Sequence, residues 1–249
     1  MIVAARLAGK SGQPVIFVHG VGSTAAIWDY QLSGLSDKYR CAAIELRGNG
    51  AGADVEPERI TREGFRDDVL AVADALGFET FHFVGCSLGG VVAFELWKAA
   101  QMRVKSLVFV GSFAAYPNAD AYAQGIVDAV NRAGDMKRFA MERAMKLGLP
   151  PHRFEETVQQ MACKRVPSYI ASTRATWTGD YRGMLSSIDI PTLVVYGEND
   201  AIAPRELSEE IARGIPSSRL ERIANAGHVT NADAPDQLNA LLRAFLETV

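Results

Sequence analysis

Ser87 stands in Gly85-Cys86-Ser87-Leu88-Gly89, a hydroxyl framed by a glycine two residues away on either side. An apolar run (81–84) precedes this pattern and a helix-forming stretch follows it. A strand-to-helix turn of this composition holds its serine in a strained conformation with Oγ exposed, and the glycines let neighbouring backbone approach without a Cβ clash. The helix that follows directs its N-terminal dipole at the same point. That is the setting of a nucleophile. A serine hydroxyl is weak alone, so it needs a base, and the base needs an acid to orient it. Of the four histidines, His228 lies in Asn225-Ala226-Gly227-His228, a loop leaving the last strand, from which a base can reach Ser87. His82 falls inside an apolar strand and is expected to be a satisfied core residue. His152, after Pro150-Pro151, is expected in a solvated turn. For the acid, Tyr196-Gly197-Glu198-Asn199-Asp200 ends the penultimate strand, which makes Asp200 the candidate and Glu198 its alternate. Asp67 and Asp68 lie mid-helix and are expected to face solvent or tether a loop. Cys86 is expected to pack beneath the turn, its thiol inward.

A second glycine cluster admits three readings. Gly20-Val21-Gly22-Ser23-Thr24-Ala25 fits Gly-x-Gly-x-x-Gly/Ala after a strand, and Glu45 follows at the end of the next strand, the layout of a dinucleotide site. It also fits a plain tight turn. It fits best, with His19 before it, a loop whose backbone N–H groups face a developing oxyanion. Gly48, Gly50 and Gly52 are expected to form only a flexible strand-exit loop.

These residues need a scaffold that brings distant loops to one edge. Strand-like runs occur at 2–7, 15–18, 40–46, 80–84, 104–110, 192–196 and 219–224, and helical patterns alternate with them at 61–76, 88–100, 204–213 and 235–246. Alternation of this kind predicts an α/β fold: a mostly parallel open sheet flanked by helices. Eight evenly spaced strands would suggest a closed barrel, but the spacing breaks after residue 110. Some 80 residues separate that strand from the next, where about 30 make a simple crossover. The gap holds helical patterns at 119–133, 135–147, 153–163 and 169–175. It predicts a helical cap over the sheet, residues 113–185, inserted in a core made of 1–112 and 186–249.

Composition narrows the function. The chain has 249 residues, a net charge of −3 and three scattered cysteines. That charge argues against nucleic-acid binding, and no apolar run approaches the roughly 20 residues that span a bilayer. The cysteines supply neither a disulfide framework nor a metal-ligand spacing. A cytoplasmic enzyme without metal or organic cofactor is expected. Within 113–185 there are ten Lys and Arg against seven Asp and Glu, with sixteen against twenty-two elsewhere, so the cap is net positive on a negative core. A carboxylate-bearing substrate suits that asymmetry, and so do solvated helix faces.

With Ser87, Asp200 and His228 in that order at three strand exits, the chain resembles an α/β-hydrolase over essentially its whole length. Trp28 after the glycine loop and the cap pattern make it most similar to the 3-oxoadipate enol-lactonase and small carboxylesterase branch. The resemblance implies an oxyanion hole formed by the amides of Val21 and Leu88. It also implies hydrolysis of a small-molecule ester or lactone; a carbon–carbon hydrolase or lyase with the same triad and a non-catalytic ligand receptor are the alternatives. Many members carry Asp-x-Arg-Gly-His-Gly-x-Ser after the second strand, where this chain has Glu45-Leu46-Arg47-Gly48-Asn49-Gly50-Ala51-Gly52. The expected pocket lining is Trp28, Phe113, Tyr116, Met141, Met145 and Trp177.

Overall fold

The computed structural model of the protein describes residues 4–50, 55–146 and 151–249. Among these residues, seven strands form one sheet: β1 (Ala5–Ala8), β2 (Pro14–Val18), β3 (Arg40–Ile44), β4 (Phe81–Cys86), β5 (Val104–Val110), β6 (Thr192–Gly197) and β7 (Ser218–Ile223). Their spatial order is β1-β3-β2-β4-β5-β6-β7, with β1 antiparallel to β3 and every other pairing parallel. The predicted open, mostly parallel sheet is therefore present. The first strand begins at Ala5, and residues 2 and 3 of its predicted span lie outside the described residues.

Parallel strands are buried on both faces, and the side chains of β2 show how. Val15 and Phe17 pack to one side, Ile16 and Val18 to the other, as the two-residue repeat of a strand requires. On the first side lie α1 (Asp29–Leu35) and α10 (Pro235–Leu246), which bring Leu32, Leu35, Leu238 and Leu242. On the second lie α2 (Arg62–Ala75), α3 (Leu88–Ala100) and α8 (Arg205–Gly214), with Phe65, Val69, Val91 and Ile211. Thr61 caps α2 by accepting the Gly64 N–H at 3.0 Å. A one-turn helix, α9 (Thr230–Asp233), precedes α10.

Among the described residues, four α-helices lie between β5 and β6: α4 (Ala119–Ala133), α5 (Met136–Lys146), α6 (Pro151–Ala162) and α7 (Val166–Trp177). The backbone at residue 152 belongs to α6, which corrects the expected turn there; the pattern's residue 147 falls outside the described residues. The loop after β3 is likewise not a loose exit. Glu45, Arg47 and Asn49 are all buried. Arg47 donates to both carboxylate oxygens of Asp68 at 2.7–3.1 Å, and its own N–H also reaches Asp68, at 2.9 Å. Asp68 is thus a tether, whereas Asp67 is exposed and pairs with Arg66. Gly52, the last glycine of that run, lies outside the described residues.

Candidate active site

Register brings the functional loops to one edge. Val18 is level with Gly85, Cys86 with Val110, and Val110 with Val195, so β2, β4, β5 and β6 end together. Ser87 is the first residue past β4, at φ 53° and ψ −106°, a conformation non-glycine residues rarely adopt. What enforces it is close packing. A Cβ on Gly85 would lie 2.3 Å from the Gly89 backbone, and one on Gly89 would lie 2.4 Å from the Val18 carbonyl oxygen. The turn between β4 and α3 therefore closes only with glycine at both positions. Ser87 Oγ is buried and has no hydrogen-bond partner in this geometry.

Asp200 follows β6, and its carboxylate is fully used. Oδ1 accepts the N–H groups of Ile202 and Ala203, both at 2.9 Å, and Oδ2 accepts Nδ1–H of His228 at 2.8 Å. That bond fixes the imidazole tautomer and leaves Nε2 as a base. Glu198, the alternate acid, instead pairs with Arg222 and accepts the Asn225 N–H at 3.1 Å. Asp233, at the end of α9, steadies the histidine loop by accepting the Gly227 N–H at 2.9 Å and pairs with Arg153 of α6 at 3.4 Å.

His82 and His19 are both occupied. His82 is buried between Ser106 Oγ and Gln13 Oε1, each at 2.8 Å, and burial lowers its pKa to about 4. The Leu46 N–H donates to His19 Nε2 at 3.3 Å, so Nδ1 carries the proton and points at the Gly20 carbonyl, 2.9 Å away. Desolvation holds His19 near a pKa of about 3, and it stays neutral beneath its loop. Burial likewise pushes the Cys86 thiol up, which keeps it un-ionised.

The glycine cluster is built differently from a dinucleotide site. Glu45 turns inward and accepts the Ala25 N–H at 3.2 Å instead of facing a ribose, and the chain continues into a 3₁₀ turn, Ala25–Trp28. Desolvation raises the Glu45 pKa to about 7.

Ser87, His228, Val21 and Trp177 line one cavity of about 150 Å³. Leu88 follows Ser87 directly at the first position of α3. Several expected lining residues are elsewhere. Trp28 is fully buried against Phe17, 5.2 Å between ring centroids, and Ile27 faces the cavity in its place. Phe113 lies flat on Trp177 at 5.0 Å, and Tyr116 donates its hydroxyl to the Ile202 carbonyl at 2.8 Å; both back the wall without lining it. Met141 and Met145 are exposed, because the buried stripe of α5 runs through Met136, Phe139, Ala140 and Ala144. Met161, Arg143, Arg153, Glu156 and Asp233 line the cavity and were not anticipated. Met161 belongs to the apolar pattern of α6, a signal present in the sequence; the pairing of Arg153 with Asp233, eighty residues apart, has no sequence signal.

A family model described as the alpha/beta hydrolase fold matches residues 13–235. The chain is 25% identical to 3-oxoadipate enol-lactonase 1 of Acinetobacter baylyi, over 99% of this chain and 94% of that one. Among solved structures, it is similar to a hydrolase from Pseudomonas aeruginosa PA01, with 30% identity, a TM-score of 0.89 and coverage of 98% and 94%. It is also similar to a thermophilic esterase from Thermogutta terrifontis, with 28% identity, a TM-score of 0.88 and coverage of 99% and 93%.

Proposed function

Because the chain belongs to the alpha/beta hydrolase fold family, we propose that it is a serine hydrolase cleaving a small carboxylic ester or lactone through an acyl-enzyme on Ser87. One observation carries this reading: a strained serine shares a cavity with an imidazole whose Nδ1–H is committed to a carboxylate at 2.8 Å. His228 Nε2 takes the Ser87 proton as Oγ attacks the carbonyl carbon. Asp200 holds the tautomer and stabilises the imidazolium. The Val21 and Leu88 amides receive the oxyanion, with the dipole of α3 behind them. Nε2 then returns the proton to the departing alkoxide, and water, deprotonated by the same nitrogen, releases the acid.

Residues 113–185 act as the cap that closes this site. The cavity volume accommodates a group about the size of a benzene ring, so a short acyl chain or a small lactone suits it. The enol-lactonase and esterase named among the similar proteins accord with that class.

The test is hydrolysis of a panel of short-chain esters and small lactones by the wild type, Ser87→Ala and His228→Ala. Turnover should fall about 10⁴-fold or more in either variant. Wild-type rates in Ser87→Ala would refute the reading.

A further inference from the structure

Lys164, between α6 and α7, is a charge the proposed reaction does not use. It is only 6% exposed, although an interior ammonium is costly and an apolar residue of similar length would fill the same space without that penalty. Its Nζ donates to two acceptors, the Ser23 carbonyl at 3.0 Å and Asn49 Oδ1 at 2.8 Å. Asn49 is itself fixed, donating Nδ2–H to the Arg47 carbonyl at 3.0 Å. Arg47 is in turn locked to Asp68. Nearby, Gln160 Oε1 accepts the Thr24 N–H at 3.2 Å and Glu45 accepts the Ala25 N–H at 3.2 Å. Three consecutive residues of the glycine loop, Ser23 to Ala25, are thus pinned by side chains, and two of the three pins, Lys164 and Gln160, come from the inserted segment.

We propose that Lys164 is a positioning residue for the oxyanion loop: by holding the Ser23 carbonyl against the Asn49 anchor, it sets where the Val21 N–H points relative to Ser87. The inserted helices then have a second task besides covering substrate, since they determine the donor geometry of the reaction. The inference rests on the serine-hydrolase reading above. It also gives a physical role to Asn49 and Glu45, two of the positions at which the loop after β3 departs from the common pattern. Desolvation lowers the Lys164 pKa to about 8, with Glu45 and Cys163 acting against that fall. Such an ammonium is retained at a cost to folding, which is the mark of a role other than stability.

The test compares Lys164→Met, Lys164→Arg and Asn49→Ala with the wild type on one short-chain ester, with kcat, KM and Tm measured together. An oxyanion donor displaced by a fraction of an ångström weakens the transition state and not substrate binding, so Lys164→Met should lose about tenfold or more in kcat with KM within about twofold. Its Tm should change by only a few degrees, because removal of a buried charge offsets the loss of the donor to Ser23 and Asn49. Lys164→Arg should recover part of kcat, and Asn49→Ala should lower kcat in the same direction as Lys164→Met. Wild-type kcat in Lys164→Met overturns the proposal. A loss of activity that tracks a loss of Tm across the three variants also overturns it, since that is what a packing role predicts. Should Lys164→Met not fold, Lys164→Arg and Asn49→Ala give the same two readings. An inactive wild type, or an active Ser87→Ala, would instead defeat the serine-hydrolase reading on which the inference rests.

Discussion

Ser87 owes its position to atoms that are missing. Without the Cβ atoms of Gly85 and Gly89, β4 can turn straight into α3 against the end of β2, and the serine is left at positive φ with its hydroxyl over the cavity. That motif, the meeting of Asp200 with His228, and the buried place of His82 were legible in the sequence, because each depends on residue type and local spacing. The inward turn of Glu45 was not, because it depends on what packs above it. Its burial makes a pH prediction. The folded-state pKa is raised from 4.5 to about 7, so the folded chain holds this proton to higher pH than the unfolded chain. Stability from Glu45 is therefore fully present below pH 4.5 and is lost as pH rises through 7. Glu45→Gln keeps an acceptor for Ala25 but does not titrate. The Tm of the wild type minus that of the variant should fall between pH 4.5 and 7.5, read by thermal melts in matched buffers; a flat difference contradicts this account.

At the scale of elements, the loop after β3 is held by the buried pair between Arg47 and Asp68, whose carboxylate side chain has no exposure. Removing one partner leaves an uncompensated buried charge, so Asp68→Ala should cost about 3–5 kcal/mol in unfolding free energy, measured by urea titration. A loss below about 1 kcal/mol would show that the pair is not what fixes the loop. Strand and helix placement was largely legible, since β2 is a short run of apolar strand-forming residues, α2 and α10 carry 3.6-residue apolar repeats, Thr61 stands ahead of α2 and Pro235 opens α10. The faces of the inserted helices were read less well. Met141 and Met145 were expected inward on residue type alone, although each lies one position past a residue of the buried stripe of α5, Ala140 and Ala144. Periodicity outweighs residue type there, and the same rule puts Arg143, four residues past Phe139, half-buried at the edge of that stripe, where it lines the cavity.

Across the whole molecule, the charge asymmetry seen in the sequence acquires a location. Arg143 lines the cavity and has no hydrogen bond or ion pair among the described residues, whereas Arg153 beside it is neutralised by Glu156 and Asp233. An anionic group on the substrate would meet an unpaired guanidinium. Esters carrying a distal carboxylate should show kcat/KM about three- to tenfold above matched neutral esters at low salt, with the preference shrinking at high salt and in Arg143→Gln. Equal values at low salt would remove Arg143 from substrate recognition. No helix among the described residues is long and apolar enough to cross a membrane. The contacts that join the inserted helices to the core, Lys164 to Asn49 and Arg153 to Asp233, link residues 115 and 80 positions apart and carry no local pattern, which is why the sequence did not disclose them.

The most direct test of the central claim is covalent labelling by a fluorophosphonate, read by intact mass and peptide mapping on the wild type, Ser87→Ala and His228→Ala. One adduct per chain is expected, on Ser87, absent in Ser87→Ala and formed at least about a hundredfold more slowly in His228→Ala. A folded wild type that takes no adduct, or takes it at another residue, would contradict the assignment of Ser87 as the activated nucleophile.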